Sequence, residues 1–199
     1  MHKLIFTLKI KSVARIILNK ELKKHFKKLK PGIVMDVGSK YSPYLKYIPH
    51  TKYLRLDINK KSKPDIVSDV HKIKWKSNYF DTIIATEVLE HLHTPQKALD
   101  EIHRILKPNG ICILSTRFIY PYHPDPKDYF RFTKDSLSYL FRNFKNVQIY
   151  PIGNRVQCSW DLLNRGYLKI ILNILNPIIA LISFKDNRCP GGFIVKAEK

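Results

Sequence analysis

From Pro31-Gly32 onward the chain alternates short apolar runs with stretches of helical periodicity. Ile33–Val37 (IVMDV) reads as a buried strand, Tyr53–Ile58 (YLRLDI) as a second that ends in an acid, and Asp65–Val70 as a weak third. Phe80–Thr86 (FDTIIAT), bounded by the polar KSNY, predicts a fourth. Ala98, Leu99, Ile102, Ile105 and Leu106 then fall at i, i+1, i+4, i+7 and i+8, with Asp100, Glu101, His103 and Arg104 facing away, as one side of a helix requires. Thr94 or Pro95 can begin that helix, and Pro108-Asn109-Gly110 stops it before a fifth strand, ICILST. Beyond Thr116 the pattern loosens into RFIYPYHPDPKDYFRFT, too rich in proline for a helix and too irregular for a strand. Lys134–Phe144 predicts a helix, NVQIYPI a strand, and GFIVKAE a last strand after the Pro190-Gly191-Gly192 turn. Strand, helix and strand in this rhythm imply right-handed crossovers and a parallel sheet covered by helices.

Two segments stand outside that rhythm. In residues 1–30, Leu4, Ile5, Leu8, Val13, Ile16, Ile17, Leu22, Phe26 and Leu29 are interleaved with ten basic residues against the single acid Glu21. This basic amphipathic segment has two readings, a helix packed on the domain or a helix lying on a membrane surface. It lacks the unbroken apolar run and small-residue ending of a signal peptide. The second segment is LKIILNILNPIIALISF, whose stretch without ionisable residues, Ile170–Phe184, is 15 residues long with Pro177 inside. About 20 are needed to span a bilayer, so a buried helix pair is favoured over monotopic insertion.

Composition changes the picture in one respect. A chain of 199 residues with 44% hydrophobic residues can build a real core, but its net charge of +20 predicts attraction to something anionic. Residues 1–30 hold +9 of that charge. Cys112, Cys158 and Cys189 are odd in number and far apart, which suggests neither a disulfide framework nor a zinc site, and no metal ligand set is read elsewhere. A reducing cytoplasm is the expected compartment, with the inner face of the membrane as a place of peripheral attachment.

In an open parallel sheet, ligands sit beyond the carboxyl ends of the strands. Asp36 closes the first strand, with Gly38 allowing close backbone approach, and Asp57 closes the second, 21 residues later, where a ribose-binding acid belongs. Asp69 ends the third and Glu87 follows the fourth. Each acid alone is commonplace, but four in register are not. The segments VMDVGS, YLRLDI, SDV, FDTIIATEVLEHL and EIHRILKPNGICILST together resemble a class I S-adenosylmethionine-dependent methyltransferase of the type 11 kind. The last two are long and specific, whereas the first departs from the family pattern because Lys40 stands where a second glycine is usual. A side chain at that place is acceptable if its backbone avoids the region only glycine tolerates.

The resemblance implies a Rossmann-like α/β fold, a mostly parallel seven-stranded sheet with helices on both faces and an antiparallel last strand. It implies a methyltransferase domain over 31–199, preceded by the basic amphipathic helix read above over residues 1–30. Within that domain, residues 33–116 would form the cofactor core, 117–133 an acceptor loop and 154–190 an apolar insertion. It implies S-adenosylmethionine as cofactor, with Asp36, Val37, Gly38 and Ser39 shaping the loop under its methionine part. Asp57 would accept from the ribose hydroxyls beside Ile58, Asp69 from the adenine amino group with Val70 donating, and Thr86 and Glu87 would border the sulfonium. A plain NAD site is disfavoured because G-x-G-x-x-G is absent.

On the acceptor side, His91 in LEHLHTP and His123 in YPYHPDPKDY are the candidate bases, histidine being poised near neutral pH. His91 is equally a structural helix-start residue. YPYHPDPKDYFRFT and NRCPGGFIVKAEK resemble segments of methyltransferases linked to cell-surface saccharide biosynthesis, which implies a saccharide or lipid-linked acceptor and an anionic membrane surface as partner. Two alternatives stand beside this O-methyltransferase. One is an RNA methyltransferase, favoured by the charge but lacking the [ND]-P-P-[YF] motif and any recognised RNA module. The other is a non-catalytic relative whose first loop has decayed.

Overall fold

The computed structural model describes residues 11–38, 40–164, 172–184, 186 and 188–199. Seven strands form one sheet: β1 Ile33–Val37, β2 Lys52–Asp57, β3 Ile66–Val67, β4 Phe80–Thr86, β5 Leu106–Arg117, β6 Lys145–Ile152 and β7 Gly192–Glu198. Their order is β3-β2-β1-β4-β5-β7-β6, with β7 antiparallel to both neighbours and the other pairs parallel. This is the expected Rossmann-like arrangement, its switch point between β1 and β4.

Alternation along β1 assigns the two faces. Val34 joins Leu18, Leu22 and Phe26 of helix α1 (Val13–Phe26) with Ile84, Ile113 and Ile194. Met35 and Val37 face the larger cluster, which holds Ala98, Leu99, Ile102 and Ile105 of helix α2 (Pro95–Ile105) and Leu137 of helix α3 (Lys134–Leu140). Helix α4 (Arg155–Leu163) packs beside α1. Residues 1–10 of the predicted basic segment lie outside the described residues. In the rest, Val13, Leu18, Leu22 and Phe26 are fully buried, so the apolar face of α1 belongs to the core and is closed to lipid. Among the described residues, the three crossovers before β4 contain only single 3-10 turns, Leu45–Tyr47, Lys60–Ser62 and Val70–Lys72.

Two expectations need correction. Pro108-Asn109-Gly110 does not stop α2, which ends at Ile105 because Leu106 already pairs with Phe80. The turn instead sits inside β5 as a bulge, with Asn109 at a positive φ of 62° before Ile111 resumes pairing with Thr82. The expected burial of Ile170–Phe184 also fails. Residues 170 and 171 are outside the described set, and beyond them Ile174, Ile178 and Leu181 are 67, 60 and 76% exposed.

The buried residue of that segment is polar. Asn176, fully buried at the start of the short helix Asn176–Ile179, accepts from the Trp160 indole at 2.8 Å and from Asn164 at 3.2 Å. It donates to the Lys11 carbonyl and to Asn173 Oδ1, both at 3.0 Å. With all four of its hydrogen-bonding positions satisfied, the amide anchors the segment and the apolar side chains turn outward. Asn176→Ala strands the indole N–H and the Lys11 carbonyl, and should cost about 1–3 kcal/mol in urea denaturation. A loss too small to measure would show that the network is not an anchor.

Candidate active site and cofactor cleft

The carboxyl ends of β1, β2 and β4 converge at the switch point. Gly38, immediately after β1, holds φ +65° and donates its N–H to the Leu56 carbonyl at 2.8 Å. A Cβ there would stand 2.5 Å from Val88 Cγ2, so glycine is required both for its angle and for its lack of bulk. Ser39, one of the expected site residues, lies outside the described residues. Lys40 stands in the left-handed region at φ +44°, which a residue other than glycine can adopt at a cost, and Ser42 follows at +45°. Such angles cost a non-glycine residue about 1 kcal/mol or more. The angle turns the Lys40 amide onto Asp57 Oδ2 at 3.0 Å, while the Asn59 amide donates to Oδ1 at 2.8 Å. Each carboxylate oxygen therefore has one backbone donor and keeps a lone pair directed elsewhere. Ile58, beside it, is 69% exposed.

Asp36 is placed differently from Asp57. It is buried and accepts the Tyr53 hydroxyl at 2.7 Å, so its carboxylate braces the loop from below. Burial, only partly offset by the Tyr53 hydrogen bond, raises its pKa to about 6. Val37 is buried too, so only its backbone is available to a ligand.

At the β3 end, Asp69 is exposed and takes the His71 amide at 2.9 Å and the His71 ring Nδ1 at 2.7 Å on one oxygen, Oδ1. Partial burial raises the carboxyl, but these bonds and the nearby His71 and His93 outweigh it, leaving the pKa below the ordinary value. The His71 ring stacks on His93 at 4.4 Å, and Val70 is largely buried.

Beyond β4, Thr86 is half-buried and Glu87 adopts φ +57°. The Glu87 amide donates to the Ser115 carbonyl at 2.9 Å, and its carboxylate accepts from Ser115 Oγ at 3.0 Å and pairs with buried Arg117. The Arg117 guanidinium lies 4.3 Å from the Tyr120 ring centroid.

Glu90 is fully buried and accepts the Thr116 hydroxyl at 2.8 Å. Burial, with the charge of Glu87 adding to it, pushes its pKa well above the usual carboxylate range. His91 and His123, 32 positions apart in sequence, meet edge to face at 4.9 Å. Burial lowers the His123 pKa, against the opposing effect of the Pro121 carbonyl and Asp128. Asp128, held below the usual range at about 2 chiefly by the Arg131 guanidinium, receives both arms of that side chain at 2.5 and 2.6 Å. The Tyr129 amide donates to the Glu90 carbonyl at 2.8 Å, so loop 117–133 closes over the start of the LEH turn.

The structure thus brings Gly38 and Asp57 into one rim and Glu87, His91 and His123 into another, with Asp69 on the far side of β2. Glu90, Arg117, Asp128, Arg131 and the Lys40 amide were not read from the sequence as site groups. Two of these left a signal there, Glu90 as the acid within LEH and Lys40 as the departure from the glycine pattern.

Residues 36–114 match a type 11 family model described as a methyltransferase domain. Among solved structures, a SAM dependent methyltransferase from Archaeoglobus fulgidus is similar at 17% identity and TM-score 0.64, with 98% of each chain covered. A SAM dependent methyltransferase from Aquifex aeolicus is similar at 15% identity and TM-score 0.56, over 90% of this chain and 88% of that one. Phosphoethanolamine N-methyltransferase 2 from Haemonchus contortus, in complex with S-adenosyl-L-methionine, is similar at 12% identity and TM-score 0.59, over 94% of this chain and 52% of that one. A search of the curated proteins finds no match. The solved structures establish the fold, and the match over residues 36–114 adds the chemistry of a methyltransferase domain, an enzyme whose cofactor is S-adenosylmethionine.

The residues present fit that cofactor. Asp57 offers oriented lone pairs suited to a vicinal diol, Ile58 an exposed apolar face, and Gly38 a backbone that approaches without a side chain. The buried Asp36 carboxyl gives a test of the loop beneath. Folded it titrates at about 6 and unfolded near 4, so its ionisation removes stability as pH rises between those values, and the loss persists above them. Asp36→Asn should therefore raise the melting temperature near pH 8 and give no gain near pH 4. An equal effect at both would show that the carboxyl is not strained by burial.

Proposed function

We propose that the protein methylates a hydroxyl of a saccharide acceptor, carried on a lipid at an anionic membrane surface. The observation that carries the cofactor half of this reading is the Asp57 carboxylate, fixed by two backbone amides with its remaining lone pairs free. Asp57 would take the ribose hydroxyls, Ile58 the adenine face, Asp69 and Val70 its polar edge, and the backbone at Val37, Gly38 and Ser39 the methionine part. Thr86 and Glu87 would border the reacting end. S-adenosylmethionine, when bound, supplies a methyl group on a sulfonium whose thioether leaves readily, so the enzyme's work is mainly orientation and exclusion of water.

Loop 117–133 supplies the acceptor wall. Tyr122, Tyr129 and Phe130 are 71, 44 and 38% exposed, rings of the kind that stack on the apolar faces of sugars. His91 donates from Nδ1 to the Lys127 carbonyl at 2.9 Å, because a carbonyl can only accept. Nδ1 of His123 faces the Pro121 carbonyl and the Asp128 carboxylate at 3.2 and 3.1 Å, so it too carries the hydrogen. Both rings therefore present Nε2 as the basic nitrogen, the atom able to take a hydroxyl proton. The outward apolar turn of Ile174, Ile178 and Leu181 adjoins the start of α1, and that helix presents Lys20, Lys23, Lys24 and Lys27 along one groove. Apolar insertion beside a basic face suits a surface of anionic headgroups.

Two measurements test the reading. Calorimetric titration with S-adenosylhomocysteine should show micromolar binding that Asp57→Ala weakens by about 10-fold to 100-fold, the worth of charge-assisted hydrogen bonds. Absence of heat with the wild type would leave a non-catalytic relative. The protein should also float with anionic vesicles, and Ile178→Asp with Leu181→Asp should abolish flotation. Retention by RNA instead of vesicles would move the acceptor to nucleic acid.

A further inference from the structure

We infer that Glu90, His91 and His123 form a binding site for a divalent first-row metal ion. One donor atom from each of the three lies within 4.8 Å of the others, on the acceptor side of the cleft. Donors about 2.0–2.2 Å from one ion stand at most roughly 4.4 Å apart, so the cluster needs a contraction of a few tenths of an ångström or more. His123, on the loop and with its side chain 31% exposed, can supply that movement by a small rotation that keeps Nδ1 on Asp128.

Three independent features prepare these groups for a cation. The Glu90 side chain is fully buried, and while Oε2 takes the Thr116 hydroxyl, Oε1 has no hydrogen-bond partner. A buried carboxylate oxygen left bare is costly unless something positive or protic meets it. His91 is fixed by the Lys127 carbonyl through Nδ1, which leaves Nε2 as its other donor atom. His123 is fixed by Asp128, itself clamped by Arg131, which is the carboxylate–histidine arrangement that orients metal ligands and raises their basicity. In both rings the Nδ1 hydrogen bond leaves Nε2 as the nitrogen available to an ion.

Two imidazoles and one carboxylate favour Mn²⁺, Fe²⁺, Co²⁺ or Zn²⁺ over Ca²⁺ or Mg²⁺, and three protein ligands leave coordination positions open. An acceptor oxygen can occupy one of them. A coordinated hydroxyl is oriented and loses its proton to water more readily. The site deepens the proposed acceptor chemistry and rests on that reading for its purpose: the Nε2 atoms would act through a metal ion rather than take the proton directly. Its existence does not rest on it.

Cobalt(II) titration of the full chain, without cofactor or acceptor, tests the site. One equivalent should bind with visible d–d absorption, and Mn²⁺ or Zn²⁺ should compete. His91→Ala and His123→Ala should each weaken binding by about 100-fold, and Asp128→Asn by about 10-fold to 100-fold through the orientation of His123. S-adenosylhomocysteine binding, measured on each metal-free variant, reports that the chain is folded. It also separates the two proposals, since metal uptake can fail while cofactor binding succeeds. No saturable uptake at millimolar metal, or uptake unchanged in both histidine variants, would falsify the site.

Discussion

The ion pair between Arg117 and Glu87 ties together the parts of the site that differ most in origin. A buried guanidinium must be matched by an anion, and removing one partner of such a pair commonly costs 3–5 kcal/mol. Glu87 meets that demand from the residue after β4, in a left-handed backbone geometry that Ser115 holds through both its carbonyl and its hydroxyl. Arg117 closes β5, lies over Tyr120, and gives its carbonyl to the Phe132 amide at 3.2 Å. Both ends of loop 117–133 are therefore bound to one residue, Arg117. The end of β4 and loop 117–133 share this joint.

The elements most legible in the sequence were those whose periodicity had no competitor. Phe80–Thr86 and the last strand emerged with the predicted bounds, and α2 began at Pro95 as expected. Asp57 was legible because strand ends in a parallel sheet have a fixed chemical meaning. What escaped depended on contacts distant along the chain. The pairing of Leu106 with Phe80 overrode a strong Pro-Asn-Gly stop signal. The buried Asn176 inverted the polarity of an apolar segment through partners at Trp160, Asn164 and Lys11. His91 and His123 were each visible, but their meeting required a loop whose course is set by Asp128, Arg131 and the Glu90 carbonyl.

The sheet serves two surfaces with opposite logic. On the α1 side, apolar residues of a highly basic helix are absorbed into the core, so charge without grease faces outward. On the neighbouring turn, polar groups are absorbed and grease without charge faces outward. Neither surface alone has the amphipathic character that attaches a helix to a bilayer, but side by side they supply its two components.

Lys40 leads to a conclusion about how such sites drift. The first loop holds Asp57 with a main-chain amide, a group that every amino acid except proline possesses. Position 40 therefore contributes a backbone angle and an amide to this contact, and its side chain takes no part in it. Lysine can stand there so long as the surrounding loop bears the strain of +44°. A fingerprint written in glycines records the cheapest way to reach that angle, and chains that reach it differently slip past the fingerprint with the contact intact.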